Sequence, residues 1–328
     1  MERVLGRSGI GVSALGVGTW ALGGPMFGGE QALGWGEVDD EESVRALRRA
    51  VELGATFFDT ADAYGTGHAE EVLARALGAQ RDELVWATKW GNTYEESTRQ
   101  LTGTDPSPQY ARRALEASLR RLRTDRVDLW QLHIADLDPV LAEDLVATCE
   151  DLVGQGLVRS YAWSTDDPAR AAVFAAGPHC TAVQHGLNVL DDAPQVLALC
   201  EEHDLASVNR SPLAMGLLSD KVTASTVVPE GDVRHHQPEW LRWFDGGRPT
   251  PDFLRRRDAV REVLTGGGRT LAQGALAWIW ARSPRTVPIP GCRTVAQVEE
   301  NVGAMAAGPL TAEEFAAVEE VLRPAREG

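Results

Sequence analysis

Four polar residues stand at or just after short apolar runs, and their types together can move a proton. Asp59 and Tyr64 lie in FFDTADAYG, Lys89 in LVWATKWG and His133 in VDLWQLH. A close ammonium such as Lys89 favours the phenolate, which lowers the pKa of a tyrosine and prepares it as a general acid. A carboxylate such as Asp59 holds a buried ammonium in its charged form, and the His133 imidazole can donate to a carbonyl oxygen. The pattern therefore predicts acid catalysis on a carbonyl, with Tyr64 as the acid.

Each of the four residues also has a structural interpretation. Asp59 fits a helix cap, Tyr64 a loop aromatic, Lys89 a buried ion-pair partner and His133 a core histidine with satisfied hydrogen bonds. The apolar runs that contain them indicate three successive buried strands. Because side chains at the carboxyl ends of the strands of a (β/α)8 barrel converge at one mouth, four such residues at successive strand ends favour one shared site.

The elements that must position these residues alternate along the whole chain. Eight short apolar segments with strand character are separated, in most cases, by helical patterns. This alternation predicts a parallel sheet of the α/β class, closed into a (β/α)8 TIM barrel, as one domain over residues 1–328. The predicted strands are 14–18, 55–58, 84–88, 127–132, 157–163, 182–185, 206–209 and 287–289.

Several helices have an explicit signal at their start. Ser107, Asp167 and Thr250 are each an N-cap residue followed by proline, which suits the first helical position. Thr311 and Glu314 fit a capping box that begins a last helix. These signals support helices between and after the strands.

Three segments interrupt the alternation, namely 23–38, 91–107 and 221–250. They are rich in Gly, Pro and aromatic residues, which predicts long loops over a binding mouth rather than core, with room for an apolar or ring-shaped substrate. Disorder or a surface for a partner protein is the alternative interpretation. The aromatic residues are Phe27, Trp35, Tyr94, Trp240, Trp243 and Phe244.

Composition excludes several classes of partner. The net charge of −16 and the pI near 4.9 argue against binding to nucleic acid and to an anionic membrane surface. The amino-terminal residues 1–7 have no signal-peptide pattern, and the most apolar stretch, 271–281, is too short to span a bilayer. We therefore expect a cytoplasmic protein, a monomer by default although an oligomer stays open.

Neither a metal site nor a Rossmann-type motif is predicted. The glycines of 9–14 fit the pattern G-x-G-x-x-A, but no strand precedes them and no helix follows. A hairpin with its turn at 7–9, closing the bottom of the barrel, is the expectation instead. The cysteines have no zinc or disulfide spacing, which favours reduced thiols. They are Cys149, Cys180, Cys200 and Cys292.

The chain resembles the aldo-keto reductases along nearly its whole length. FFDTADAYG, ATKWG and LWQLH resemble the catalytic tetrad of that family in order and context, which implies that Asp59, Tyr64, Lys89 and His133 are catalytic. The segments GVGTW, AVQHGLN, RSPLAMGLLSDK and IPGCRTVAQVEENV resemble its cofactor segments. The resemblance implies NADPH bound in an extended form, without a Rossmann fold.

The resemblance also implies a set of cofactor contacts. Near the first strands the implied contacts are Thr19, Trp20 and Asp59. The nicotinamide carboxamide is held by Ser164 and Gln184. The pyrophosphate is lined by Ser211, Pro212, Leu213, Gly216, Leu217 and Lys221. The adenosine end is enclosed by Ile289, Pro290, Gly291, Arg293, Gln297, Glu300 and Asn301.

Arg293 and Arg210 bear on the choice of cofactor. The Arg293 guanidinium can bind a 2′-phosphate in bidentate fashion, which favours NADPH over NADH, although Thr294 and Gln297 also fit a capping box at a helix start. Arg210 stands where many relatives carry an aromatic that stacks on nicotinamide, and Thr165 where asparagine often follows the carboxamide serine. The flat Arg210 guanidinium can also stack on the nicotinamide, but its positive charge disfavours the oxidised nicotinamide ring.

The sequence therefore predicts an NADPH-dependent reductase of an aldehyde or ketone. An NADPH-binding sensor or regulatory subunit, resembling the potassium-channel β-subunits, is the alternative, because such proteins can keep the tetrad. A third interpretation takes Lys89 as the Schiff-base lysine of a barrel aldolase.

Overall fold

A computed structural model of the chain describes residues 1–236, 238 and 240–326. Eight parallel strands pair in consecutive order from the first to the last. The Gly18 amide donates to the Pro290 carbonyl at 3.1 Å and Gly18 bridges Gly291, which brings the two edge strands together. The predicted (β/α)8 barrel is thus confirmed. Its strands are β1 (Gly16–Gly18), β2 (Phe57–Asp59), β3 (Val85–Trp90), β4 (Val127–Leu132), β5 (Val158–Ser164), β6 (Cys180–Gly186), β7 (Ala206–Arg210) and β8 (Thr286–Pro288).

Helices cover the outside of this barrel. Ser107 accepts from the amide of Tyr110 at 3.1 Å, and Asp167 accepts from the amide of Ala169 at 2.8 Å, as the N-cap signals predict. The helices are α1 (Asp40–Glu52), α2 (His68–Leu77), α3 (Pro108–Leu122), α4 (Pro139–Gly154), α5 (Pro168–Ala175), α6 (Pro194–Glu202), α7 (Pro251–Leu264), α8 (Leu271–Arg282), α9 (Val295–Ala307) and α10 (Ala312–Arg326).

The signals at the starts of α7 and α10 have different outcomes. Thr311 and Glu314 bond each other's amides at 3.2 and 2.8 Å, which confirms the capping box before α10. Helix α7 begins at Pro251 with Thr250 at its N-cap, as predicted, but the Thr250 side chain makes no capping hydrogen bond. The Thr250 hydroxyl donates instead to the carbonyl of Arg242 at 3.0 Å, because the preceding loop folds back onto it.

The bottom of the barrel is closed by an amino-terminal hairpin. Strand Glu2–Val4 pairs antiparallel with Gly11–Ser13, so residues 9–14 form part of a hairpin and not a dinucleotide motif, as predicted. Leu5 packs against apolar side chains inside the barrel. Arg7 fixes the turn by donating to three backbone carbonyls at 2.6 to 2.8 Å, which joins the hairpin to the end of α5 and the start of β6.

Parts of the predicted loops are ordered structure. The first two loops build one small sheet, and the third loop contains a hairpin of Phe244–Asp245 with Arg248–Pro249. Within the third loop, Gln237 and Glu239 lie outside the described residues. The strands of the small sheet, in spatial order, are Gln31–Ala32, Phe27–Gly28, Gln100–Thr104 and Asn92–Glu95.

The prediction that the loop aromatics avoid the core is wrong for Trp243 and Phe244. Their exposed fractions are 6% and 0%, and both belong to a second apolar core with Leu254 and Trp278. The Trp243 indole remains satisfied there because it donates to the carboxylate of Asp191 at 2.7 Å. The third loop therefore adds a layer of core to one side of the barrel.

The main core lies between the strands and the outer helices and holds several large aromatics. Trp90 and Trp130 stack with their centroids 4.8 Å apart. Trp163 is fully buried there and donates to the Ile134 carbonyl at 2.9 Å, so its role is packing. The four cysteines are buried and unpaired. Within the described residues, no helix has the length and apolarity to cross a bilayer.

The hairpin floor leads to a stability prediction. Leu5 is completely buried, whereas its neighbour Val4 has an exposed fraction of 52%. Leu5→Ala should lower the free energy of unfolding by about 2–5 kcal/mol, because it leaves a cavity at the barrel floor. Val4→Ala is the matched control and should change it by less than about 0.5 kcal/mol. Urea denaturation of both variants measures this, and equal effects would contradict the plug role of the hairpin.

Candidate active site

The predicted polar residues meet at the carboxyl ends of three neighbouring strands. Asp59 ends β2, Lys89 is the penultimate residue of β3, and His133 follows β4. The Lys89 Nζ donates to the Asp59 Oδ2 at 2.5 Å, to the Thr60 carbonyl at 2.8 Å and to the Tyr64 hydroxyl at 3.0 Å. The exposed fractions of the Lys89 and Asp59 side chains are 0% and 2%. The structure thus forms one buried ion pair that is bonded to a phenol.

Tyr64 lies on a tight turn between β2 and α2. Gly65 follows it with a φ of +59°, and a Cβ on this glycine would lie 1.8 Å from the Gly23 carbonyl oxygen. Only glycine suits this close approach, which fixes the direction of the tyrosine. The Tyr64 ring stacks on Trp20 with a centroid distance of 6.0 Å, and it lies nearly perpendicular to the ring of His133 at the same centroid distance.

The pKa of Tyr64 differs in direction from the sequence-based expectation. Burial raises the pKa of Tyr64, and the opposing charge of Lys89 does not fully cancel this effect. For Lys89, burial lowers the pKa, but Asp59 and Tyr64 together raise it above its ordinary value. At neutral pH the site therefore holds a protonated phenol beside an ammonium ion.

His133 is neutral at physiological pH. Burial, and then the charges of Lys89 and Arg210, lower the pKa of His133 to about 3. Its Nδ1 is buried, and no group of the described residues bonds it. The backbone is fixed by a bond from the His133 amide to the Trp90 carbonyl at 2.7 Å. A neutral imidazole beside Tyr64 can donate one hydrogen bond to a ligand oxygen.

Sequence reasoning missed Gln131, a buried residue of β4 in this site. Its Nε2 donates to the Asp59 Oδ1 at 2.8 Å. The Gln184 Nε2 donates to the same oxygen at 2.8 Å and to the Gln131 Oε1 at 3.0 Å. Gln131 precedes His133 by two residues in LWQLH, and the alternation of side chains along a strand places positions i and i+2 on the same face. The spacing of two residues from His133 was the sequence signal that could have placed Gln131 in the site.

The residues predicted for the cofactor lie mostly at the same end of the barrel. Thr19 and Trp20 follow β1, and the Thr19 amide donates to the Asp59 carbonyl at 2.9 Å. The Thr19 hydroxyl and the Trp20 indole nitrogen are buried without a partner among the described residues. Ser164 and Arg210 are the last residues of β5 and β7. Unsatisfied buried polar atoms of this kind fit a site that binds a polar ligand.

The segment after β7 has an unusual backbone. Ser211, Ala214 and Met215 have φ angles of 52°, 46° and 55°, and they are three of the seven described non-glycine residues in the left-handed region. Gly216 follows at a φ of 93°. Backbone strain clusters where a loop is shaped for a ligand, so this segment fits a phosphate-binding turn. The Leu217 side chain is fully buried in the second core, so its part in the predicted turn falls to its backbone.

The segment predicted for the adenosine end is held by its own hydrogen bonds. The Gln297 Oε1 accepts from the Arg293 amide at 2.7 Å, and Thr294 caps α9 through the Gln297 amide at 3.3 Å. The capping-box alternative is thus only half formed. Asn301 donates to the Gly291 carbonyl at 3.4 Å, and the Glu300 carbonyl accepts from the Gln273 side chain of α8 at 3.1 Å.

The Arg293 guanidinium bonds the first loop. It donates to the Trp35 carbonyl at 3.0 Å and also to the Glu37 carbonyl. A 2′-phosphate at this position would replace carbonyl partners by charged oxygens, which bind a guanidinium more strongly. Arg293 therefore connects the predicted adenosine site with the loop that carries a mouth aromatic.

Arg210 pairs with an acidic residue at the rim. Its guanidinium bonds the carboxylate of Asp166, whose other oxygen accepts from the Gly186 amide at 2.7 Å. The Thr165 hydroxyl donates to the Ala135 carbonyl at 2.8 Å, so it is engaged within the loop. Arg210 is close enough to lower the pKa of His133, which places its charge within range of the site.

Aromatic side chains of the loops surround the opening. The Trp35 ring lies at a centroid distance of 5.5 Å from the Trp20 ring, and the Trp240 ring lies 6.0 Å from the Trp20 ring. Trp240 has an exposed fraction of 47%. These two loop residues lie over the mouth as predicted. Among the described residues, no group of three or more histidine, cysteine or acidic side chains could hold a metal ion.

Comparison with known proteins agrees with this architecture. The sequence model of the aldo/keto reductase family matches residues 14–323. The Bacillus subtilis (strain 168) protein described as "Uncharacterized oxidoreductase YqkF" is 28% identical over 320 residues, which cover 97% of this chain and 95% of the relative.

Solved structures of the same family are also similar. The holo form of aldo-keto reductase AKR11C1 from Bacillus halodurans has a TM-score of 0.77 and 29% identity, covering 98% of this chain and 95% of that one. An aldo/keto reductase from Klebsiella pneumoniae in complex with NADP and acetate has a TM-score of 0.69 and 26% identity, covering 97% and 94%. The chain belongs to the aldo-keto reductase family, an oxidoreductase family.

Proposed function

We propose that the chain reduces an aldehyde or ketone to an alcohol with NADPH as cofactor, and that Tyr64 is the general acid. The observation that carries this proposal is the position of the Lys89 ammonium. It bonds the Asp59 carboxylate at 2.5 Å and the Tyr64 hydroxyl at 3.0 Å at the open end of the barrel. Family membership and a related structure with bound NADP support the choice of cofactor.

The residues that would hold NADPH lie along the rim of the barrel. Ser164 and Gln184 would bind the carboxamide, the strained turn 211–216 the pyrophosphate, and Arg293 the 2′-phosphate. Lys221 is exposed beyond that turn and can add a positive charge near the phosphates. When bound, NADPH supplies a hydride to the carbonyl carbon.

Tyr64 supplies the proton for the carbonyl oxygen. Because burial raises its pKa, the phenol is protonated at neutral pH, which is the state that a general acid requires. The phenolate left after proton transfer lies beside the Lys89 ammonium, which stabilises the new negative charge. Asp59 keeps Lys89 protonated throughout, since a buried amine without a counter-charge loses its proton.

His133 orients the substrate. Its ring lies nearly perpendicular to the Tyr64 ring at a centroid distance of 6.0 Å, and a neutral imidazole can donate to the same carbonyl oxygen that Tyr64 protonates. Two donors aimed at one oxygen fix the carbonyl for attack and stabilise the charge that develops on it.

Two other functions are less well supported. A Schiff-base lysine must present a free amine, whereas the Lys89 ammonium is buried in three hydrogen bonds and its pKa is raised. A role as an NADPH-binding sensor is separated from the reductase by one assay. If NADPH is bound but not oxidised by any aldehyde in a broad panel, the sensor interpretation is the better one.

Tyr64→Phe tests the acid assignment. Removing the hydroxyl should lower kcat about 100- to 10,000-fold, because no other group can supply the proton in the same position. Binding of NADPH should change little, since the ring remains. Tyr161→Phe is the control, because that hydroxyl bonds Glu150 away from the site. NADPH oxidation with benzaldehyde measures both variants, and a Tyr64→Phe enzyme with the turnover of the wild type would refute the assignment.

His133→Gln tests whether the folded histidine is neutral. An unfolded imidazole has a pKa of about 6.5, whereas the pKa of folded His133 is lowered to about 3. Between these values the unfolded chain binds a proton that the folded chain does not bind. The contribution of the neutral His133 to the free energy of unfolding is therefore complete above about pH 6.5 and is lost as the pH falls toward 3.

The wild type should consequently lose up to about 2 kcal/mol more free energy of unfolding than His133→Gln when the pH falls from about 7 to about 5. Urea denaturation at several pH values measures the difference. His203→Gln, outside the site, is the control and should follow the wild type. Parallel pH profiles of wild type and His133→Gln would show that the folded imidazole titrates normally.

Arg293→Gln tests the preference for NADPH. Loss of the guanidinium should raise the Kd for NADPH about 10- to 100-fold, because charge-assisted bonds to the 2′-phosphate are lost. The Kd for NADH should change by less than about threefold. Arg45→Gln, on the exposed face of α1, is the control. Fluorescence titration gives all values, and an equal loss for both cofactors would assign Arg293 to loop anchoring alone.

A further inference from the structure

The Asp59 carboxylate is completely enclosed by hydrogen-bond donors. Its Oδ2 accepts from Lys89, and its Oδ1 accepts from both Gln131 and Gln184 at 2.8 Å. All four side chains have exposed fractions of 2% or less. Water therefore cannot substitute for a missing donor, and each amide contributes to holding the buried negative charge in place.

The chemistry of this network determines which way each amide points. A carboxylate only accepts hydrogen bonds, so both glutamines must turn their NH2 groups toward Asp59. The Gln131 Oε1 then faces Gln184 and accepts its second N–H at 3.0 Å. Both N–H groups of Gln184 are consumed in this way. Within the part of the chain that the structure describes, no group donates to the Gln184 Oε1.

We propose that Gln131 is a positioning residue that acts both on the proton donor and on the orientation of the cofactor. Through Asp59 it fixes the carboxylate that keeps Lys89 charged beside Tyr64. Through Gln184 it presents an acceptor oxygen, which can bind only the NH2 group of the nicotinamide carboxamide. Gln131 thus couples the orientation of the cofactor to the state of the acid, without contact with either substrate. This inference rests on the proposed function.

Gln131→Glu gives a signature that a merely structural role would not produce. A protonated carboxyl group at this position can donate to Asp59 and accept from Gln184, as the amide does. An ionised carboxyl group cannot donate and would stand beside another carboxylate, and this repulsion, with burial, raises its pKa. The variant should therefore resemble the wild type at low pH and lose function as the pH rises through a new inflection.

Gln131→Met removes the hydrogen bonds at similar volume. It should raise the Kd for NADPH and lower kcat/KM with benzaldehyde, each about tenfold or more, at every pH between about 6 and about 9. Gln155→Glu is the matched control, because the Gln155 amide also donates to an aspartate, Asp151 at 2.8 Å, but on the exposed surface. It should keep the profile of the wild type.

The measurements are the Kd for NADPH by tryptophan fluorescence, kcat/KM with benzaldehyde across pH, and the melting temperature of each variant. Gln131→Glu with the Kd and pH profile of the wild type would overturn the inference and leave the reductase proposal intact. A wild type that binds NADPH but reduces no carbonyl would refute the reductase, while the Kd of the Gln131 variants would still decide the positioning role. A wild type that does not bind NADPH would overturn both.

Discussion

The buried ion pair between Lys89 and Asp59 is the interaction on which the rest of the site depends. Two charges removed from water are tolerated only when every remaining donor and acceptor is paired, because the desolvation penalty is several kcal/mol per ion. Here the Thr60 carbonyl, the Tyr64 hydroxyl and two glutamine amides complete that pairing. The charge balance explains how an ammonium ion persists inside the barrel mouth and why the phenol beside it can become a phenolate.

The parallel register of the strands sets these groups at one level. Gln131 on β4 lies opposite Lys89 on β3, and Ser164 on β5 lies opposite Gln184 on β6. Side chains that alternate inward along neighbouring strands then form a ring around the barrel axis. The amino-terminal hairpin, with apolar side chains packed on it, closes the other end of this axis.

The loops connect the two ends of the predicted cofactor path. Arg293 bonds the carbonyl of Trp35, and Trp35 in turn contacts Trp20, which stacks on Tyr64. A change at the adenosine end can therefore reach the aromatic wall of the mouth through direct contacts. On the opposite rim, the charge of Arg210 acts on His133 while its own salt bridge to Asp166 moderates it.

The sequence by itself determined the barrel, the cap hairpin and the meeting of Asp59, Tyr64 and Lys89, because apolar periodicity and strand-end position are local properties. Tertiary structure decided the rest. The burial of Trp243 and Phe244 depends on a second core contributed by distant helices, and the raised pKa of Tyr64 depends on how far burial outweighs the charge of Lys89. The role of Gln131 was likewise hidden, since an amide becomes directional only when a carboxylate from another strand dictates which of its atoms must face inward.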